Sequence, residues 1–271
     1  MFQITCLVEN KGLPGFRAEH GVSFHIQTPD GKVLFDSGDS GDVLLANAAT
    51  MEIDLGQLDA LAISHAHFDH TGGLEKLLAQ TKPGIPLYAH SDLFRPRYSQ
   101  GYFIGIPQER ETLAERATLH LSDEPQQILP GLWTTGDITE RAHFEGRSES
   151  HVVPVEGDGW ERDPYRDDLS LVLETEAGLV VVLGCGHAGL LNILNTVQQH
   201  FDGPIIAIAG GTHLVSATPA MLEEAVDVLR TRYNTPRLYP NHCTGQPAVD
   251  ALRAAFGEQV QDCPAGTVLT F

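Results

Sequence analysis

Leu58-Asp59-Ala60-Leu61-Ala62-Ile63-Ser64-His65-Ala66-His67-Phe68-Asp69-His70-Thr71-Gly72-Gly73 decides how this chain is read. An apolar run of strand length delivers three imidazoles and a carboxylate into six consecutive positions. In an extended segment, residues two apart point to the same side, so His65 and His67 converge on one ion. Asp69 and His70 lie beyond, where the chain turns toward the next helix, and serve a second ion. Imidazole nitrogen and carboxylate oxygen suit zinc, with manganese or iron as alternatives. Two neighbouring divalent ions at the mouth of a strand point to metal-assisted hydrolysis or group transfer.

Outward from this cluster the pattern is strands followed by β-α alternation, twice over. In the first half Gln3–Val8, Ser23–Gln27, Lys32–Phe35 and Pro86–Ala89 read as strands, with Pro29-Asp30-Gly31 as a hairpin turn. Asp42–Thr50 and Leu74–Ala79 read as helices. In the second half Leu169–Thr175, Leu179–Leu183, Ile205–Ala209 and Leu238–Tyr239 are strands. Leu190–His200, Pro219–Tyr233 and Ala248–Phe256 are helices, the middle one capped by Thr218 with Pro219 in its first turn. The expected architecture is α/β, two sheets sandwiched between helices in four layers, αββα, within one domain spanning residues 1–271. Asp92–Pro107 reads as an irregular insertion carrying Arg95, Arg97, Tyr98, Tyr102 and Phe103. It is either a substrate-facing lid or a homodimer contact.

The composition narrows the function. A net charge of -19 argues against nucleic acid and anionic membranes as partners, because phosphate backbones and headgroups need Lys/Arg stripes. No apolar run approaches the ~20 residues needed to span a bilayer. The opening MFQITCLVEN reads as a strand rather than a secretory leader. Cys6, Cys185, Cys243 and Cys263 form no CxxC pair, as in a reducing compartment, so a cytoplasmic protein acting on a small molecule is expected.

Three more segments place metal-binding or proton-transferring residues after predicted strands. They are Gly184-Cys185-Gly186-His187, Gly210-Gly211-Thr212-His213 and Asn241-His242-Cys243-Thr244-Gly245. Cys185 is either a ligand or a small buried residue at a strand end; a coordinated thiolate would be deprotonated by the metal. His187 sits in a glycine-rich loop suited to close approach, and His213 is a candidate acid/base or substrate contact. The remaining histidines have no such context, apart from His20 within Glu19-His20-Gly21-Val22-Ser23-Phe24.

His65-Ala66-His67-Phe68-Asp69-His70 resembles the HxHxDH hallmark of the metallo-β-lactamase superfamily, and the resemblance runs over nearly the whole chain. It implies that Asp36, in Phe35-Asp36-Ser37-Gly38, braces the metal loop by hydrogen bonding. It also places Cys185 at the second-metal ligand that is usually a bridging Asp, and His242 at the closing His. Val8-Glu9-Asn10, Glu19-His20-Gly21-Val22-Ser23-Phe24, Asp167-Asp168-Leu169-Ser170-Leu171, Gly184-Cys185-Gly186-His187-Ala188-Gly189, Gly210-Gly211-Thr212-His213-Leu214 and His242-Cys243-Thr244-Gly245 are similar to one branch. That branch is the metal-dependent hydrolases akin to the dihydropterin–aminobenzene ribofuranosyl phosphate synthase of methanopterin biosynthesis. It implies a small anionic substrate such as a dihydropterin pyrophosphate, with Arg95 and Arg97 helping to hold the anion and Asp69 and His213 available for proton transfer. The chain departs from the superfamily at the third His of the first metal, where it has Pro164-Tyr165-Arg166-Asp167-Asp168. Asp168, His187 and the more distant His151 can fill that place, and the sequence does not separate Asp168 from His187. Two rival classes follow. One is a non-catalytic metal-binding or regulatory member of the fold. The other is a di-iron redox protein, disfavoured because His67 stands where such proteins have Glu and no flavin module is present.

Overall fold

Strict alternation in the early strands decides which side of each strand is buried against what. In Ser23–Thr28, Phe24 and Ile26 enter one apolar cluster, while in the neighbouring strand Leu34 faces another and Val33 and Phe35 join the first. The computed structural model describes residues 1–271. Its first half runs β1 (Gln3–Val8), β2 (Ser23–Thr28), β3 (Gly31–Phe35), α1 (Asp42–Thr50), β4 (Ala60–Ala62), α2 (Phe68–Thr71), α3 (Leu74–Leu78), β5 (Ile85–Ala89), β6 (Tyr98–Ser99), β7 (Tyr102–Phe103), α4 (Arg110–Ala114) and β8 (Ala117–Leu121). The rest is β9 (Gln127–Leu129), β10 (Leu132–Thr134), β11 (His151–Pro154), β12 (Trp160–Arg162), β13 (Ser170–Thr175), β14 (Gly178–Leu183), α5 (Leu190–His200), β15 (Ile205–Gly210), α6 (Pro219–Thr231), β16 (Arg237–Pro240), α7 (Gln246–Phe256) and β17 (Val268–Thr270).

These strands form a seven-stranded sheet ordered β17-β1-β2-β3-β4-β5-β8 and a six-stranded sheet ordered β16-β15-β14-β13-β10-β9. One apolar cluster fills the space between them, with Phe24, Ile26 and Phe35 meeting Leu171, Leu173, Val180 and Val182. The outer face of the first sheet packs Leu34 and Leu61 on Leu44, Leu74 and Leu77 of α1 and α3. The outer face of the second packs Val181, Leu183 and Ile208 on Ile193, Leu194, Leu229 and Leu252 of α5, α6 and α7. The result is the expected αββα sandwich. Helix α6 starts where its cap residues put it, with Thr218 Oγ1 accepting from Met221 N at 3.4 Å and Pro219 in the first turn. No helix is long and apolar enough to cross a membrane.

The segment Asp92–Pro107 differs from its sequence reading as irregular. It holds the β6–β7 hairpin, which pairs through β6 with β11 and makes a third sheet ordered β12-β11-β6-β7. Strands this short show no periodicity, and their partners lie about fifty residues away, so only the pairing defines them.

Strand direction positions the site. β3, β4, β5 and β8 are parallel, as are β14, β15 and β16. His65 follows β4, Cys185 follows β14, His213 follows β15 and His242 follows β16, all at carboxyl ends of parallel strands. Such edges are where open α/β sheets bind ligands.

Candidate metal centre

Each histidine after β4 has one ring nitrogen committed, and the commitments are local. Asp36, at φ 60° after β3, accepts from Ser64 N and Ser64 Oγ at 2.7 Å and from His70 Nδ1 at 2.6 Å. With its hydrogen given to Asp36, Ser64 Oγ accepts from His65 Nδ1 at 2.9 Å. His65 and His70 therefore direct Nε2 to the interior, where His65 Nε2 also meets His67 Nδ1 at 3.1 Å. Asp36 thus takes the bracing role expected of it. Gly184 allows this arrangement, because a Cβ there would collide with Ser64 Oγ. His187 donates from Nδ1 to Gly146 O at 2.8 Å, and His242 Nδ1 meets Asn10 Oδ1 at 3.0 Å. Both therefore also offer Nε2.

The offered atoms gather in two main groups whose donors lie within 4.8 Å of one another: His65, Cys185 and His187, and His70, Cys185 and His242. Cys185 is common to both, and its Sγ is 3.2 Å from His70 Nε2. Asp69 Oδ2 joins the second, 3.3 Å from His242 Nε2 and 3.6 Å from His70 Nε2. His67 lies beside the first without being one of its three donors, its ring centroid 4.6 Å from that of His65 and 5.0 Å from that of His187. His20 completes a third group with Asp69 and His242, but its side chain is 63% exposed.

The donor set fits divalent metal. His67 Nε2 and His187 Nε2 are buried without any hydrogen-bond partner, a costly state that an ion would relieve. Burial pushes the pKa of His65, His67 and His187 well below that of free imidazole, leaving the neutral form that ligates. His70 is the exception: burial opposes its charge, but Asp69 and Asp36 outweigh burial and raise it to about 9. Asp69 is held well below the usual carboxylate range, since His70 and His242 override the desolvation that would raise it. Burial pushes the Cys185 thiol up, so a bound cation would have to drive its deprotonation.

Asp168 joins none of the groups. Its Oδ2 accepts from Ala188 N at 2.8 Å, fastening the Cys185–Ala188 loop, and burial raises its pKa to about 6. Of the two residues the sequence leaves level, His187 is the one placed with His65. His151 stands 5.1 Å from His67 between ring centroids, with its Nδ1 2.6 Å from the Tyr165 hydroxyl. His213 packs 4.3 Å from the His187 ring with Nδ1 buried and unpartnered; burial and then His242 lower its pKa to about 4. It is neutral at pH 7.

The reading of Arg95 and Arg97 as anion holders needs correction. Arg97 is fully buried, with Nη2 2.6 Å from Asp167, Nε 3.0 Å from Asp163 and Nη2 3.5 Å from Asp92. Arg95 pairs with Glu161 at 2.9 Å and donates to Pro154 O. The buried carboxylates of Asp163 and Asp167 need a cation, and Arg97 meets that need, while Arg95 is held by the exposed Glu161.

Some contributors had little or no sequence signal. Tyr165, at φ 47°, stacks on His187 with centroids 4.1 Å apart and planes 16° apart. It lies in the segment where the superfamily's third His is missing, which was the only cue. Glu9 and Asn10 were visible as a phrase but not as a clamp on His242.

Comparison with known proteins gives the chain its family. Over 269 residues the chain is 27% identical to the 7,8-dihydropterin-6-methyl-4-(β-D-ribofuranosyl)-aminobenzene-5'-phosphate synthase of Methanocaldococcus jannaschii, covering 94% of this chain and 91% of that one. An uncharacterized protein of the same organism, MJ0448, is 28% identical over 92% of this chain and 93% of its own length. The crystal structure of Tm1679, a metal-dependent hydrolase of the β-lactamase superfamily, superposes with a TM-score of 0.87 at 28% identity, covering 100% of this chain and 99% of that one. The model of the metallo-β-lactamase superfamily matches residues 17–190, which takes in the histidine cluster and Cys185 and His187. The chain belongs to the metallo-β-lactamase superfamily.

Proposed function

We propose that this chain is a metal-dependent hydrolase or transferase with a centre of two divalent ions, zinc in the first place and manganese or iron as alternatives. Its substrate is a small anion. A dihydropterin pyrophosphate is the candidate suggested by the likeness to the Methanocaldococcus jannaschii synthase. The observation that carries the reading is the pair of donor groups sharing Cys185, with buried, partnerless Nε2 atoms on His67 and His187. His65, His67 and His187 would hold one ion, and Asp69, His70 and His242 the other, with Cys185 between them.

Bound ions would lower the pKa of water and stabilise charge growing on a carbonyl or phosphoryl oxygen. The chain's own residues prepare that chemistry. Asp36, Ser64, Gly146 and Asn10 fix which imidazole nitrogen faces inward. Asp69 stays ionised, as a ligand must, and His213 stays neutral at pH 7 beside the centre, available for proton transfer during turnover. With Arg95 and Arg97 committed to acidic partners, the positive charge that would attract an anion comes from the ions themselves.

The test compares purified wild type with His67→Ala after loading with zinc or manganese. Expected are two metal equivalents in the wild type, and turnover of a pyrophosphate or phosphodiester substrate lost by at least about a hundredfold in the variant, with its circular dichroism unchanged. Unchanged turnover in a folded His67→Ala protein would sink the metal mechanism. Two bound metals with no turnover of ester, lactone, phosphodiester or pyrophosphate would favour the non-catalytic reading.

A further inference from the structure

Cys243 lies against the centre without belonging to either donor group. It follows His242, is partly exposed, and its thiol donates to the Cys185 carbonyl at 3.4 Å. The two sulfurs are also side-chain hydrogen-bond neighbours. Gly211 makes room for this approach: a Cβ there would lie 2.6 Å from Cys243 Sγ and 3.3 Å from Cys185 Cα. Cys185, in turn, is the donor that both metal groups share.

We propose that Cys185 and Cys243 form an oxidisable dithiol, whose disulfide excludes Cys185 from metal binding. The disulfide rests on the thiol geometry alone; the exclusion rests on the metal reading above. The step balances with a small disulfide as oxidant. The Cys243 thiolate attacks one sulfur of the oxidant, forming a mixed disulfide and expelling one thiolate. The Cys185 thiol, giving its proton to the first expelled thiolate, then attacks the Cys243 sulfur and expels the second. Two protein thiols are oxidised, one small disulfide is reduced to two thiols, and the two cysteine protons end on those products. A sulfur committed to an S–S bond is no longer an anionic donor, so both groups lose it at once.

The other two cysteines provide an internal control. Cys6 and Cys263 also neighbour each other, but at 0% and 2% exposure between the two sheets. An oxidant that reaches Cys243 does not reach them in the folded protein.

The experiment treats zinc-loaded protein at pH 8 with oxidised glutathione. Released zinc is followed with a chromogenic chelator, and disulfides are mapped by non-reducing peptide mass spectrometry. Expected are a Cys185–Cys243 linked peptide, zinc release in step with it, reduced Cys6 and Cys263, and recovery of zinc binding after dithiothreitol. Cys243→Ser and Cys243→Ala should give no linked peptide and keep their zinc under the same treatment. Glutathione remaining on Cys243 unresolved, or no oxidation at either cysteine, would overturn the dithiol. A complete Cys185–Cys243 disulfide with all zinc retained would overturn the exclusion. Protein that never binds zinc would count against the metal reading, while the peptide map would still decide on the dithiol.

Discussion

His242 is gripped at three points by two residues from the other end of the chain. Glu9 accepts from its backbone N at 2.8 Å, Asn10 Nδ2 donates to its carbonyl at 3.2 Å, and Asn10 Oδ1 meets its Nδ1 at 3.0 Å. Such partners fix the tautomer and ring angle of a ligating imidazole, and losing one costs about 10–100-fold in metal affinity. Asn10→Ala is therefore expected to weaken one of two zinc equivalents by that factor and leave the other unchanged, read by competition with a chromogenic chelator. Equal weakening at both sites, or at neither, would contradict the assignment of His242. His25 tests electrostatics away from the centre. Burial, and then Lys32, lower its pKa from 6.5 to about 4, and neither ring nitrogen has a partner. Between those values the unfolded chain takes up a proton that the folded chain refuses. The contribution to stability is whole above pH 6.5 and is lost as pH falls toward 4. His25→Leu should show a flatter fall of Tm with pH in that window than wild type; matching curves would place the acid sensitivity elsewhere. At this scale the ligands were legible because His, Asp and Cys cluster after predicted strands. Tyr165 was not, since an aromatic side chain in a loop has no distinguishing pattern until its stacking partner is known.

The elements read from sequence were those with a period. β1, β2, β13, α5 and α6 fall within one or two residues of their sequence-derived bounds, because alternation, Thr218 and Pro219 mark them. The third sheet escaped because its strands are two to four residues long and paired across the chain. Its attachment to the metal loop depends on Arg97. Arg97 grips Asp167, whose Oδ2 accepts from Ala66 N between His65 and His67 at 2.8 Å. It also grips Asp163, whose Oδ1 accepts from Tyr165 N at 2.8 Å. One buried guanidinium thus ties the β6–β7 hairpin to both walls of the first donor group. Removing one partner of a buried ion pair costs about 3–5 kcal/mol, because the remaining charges stay buried and unpaired. Arg97→Met is expected to lose stability on that scale in urea unfolding, and Arg97→Lys to recover only part of it, lacking the planar fork. A loss below about 1 kcal/mol, the range of an exposed pair, would show that this network does not brace the loop.

Across the whole molecule the centre is built at a seam. His65, His67, Asp69 and His70 follow a strand of the seven-stranded sheet, whereas Cys185, His187 and His242 follow strands of the six-stranded one. Without ions, the contacts across this edge are those of neutral imidazoles, the protonated His70, a thiol and one carboxylate, with buried nitrogens left unpaired. Ions bound here would join the two sheets and would bind only the folded chain, since no unfolded segment brings all these donors together. Their stabilisation then follows mass action, about 4 kcal/mol when free ion exceeds Kd a thousandfold. For a protein of this length that raises Tm on the order of 10 °C. Calorimetry of zinc-loaded protein with and without excess chelator is expected to show a drop of that size, with one transition in both cases. The size of the drop should depend on free zinc concentration, and His67→Ala should shrink it. A Tm indifferent to chelator, once metal analysis shows the ions gone, would mean that the ligands do not close across the seam. A second transition appearing only in the chelated protein would contradict the single transition expected, because the apolar cluster shared by both sheets should keep them unfolding together even without ions.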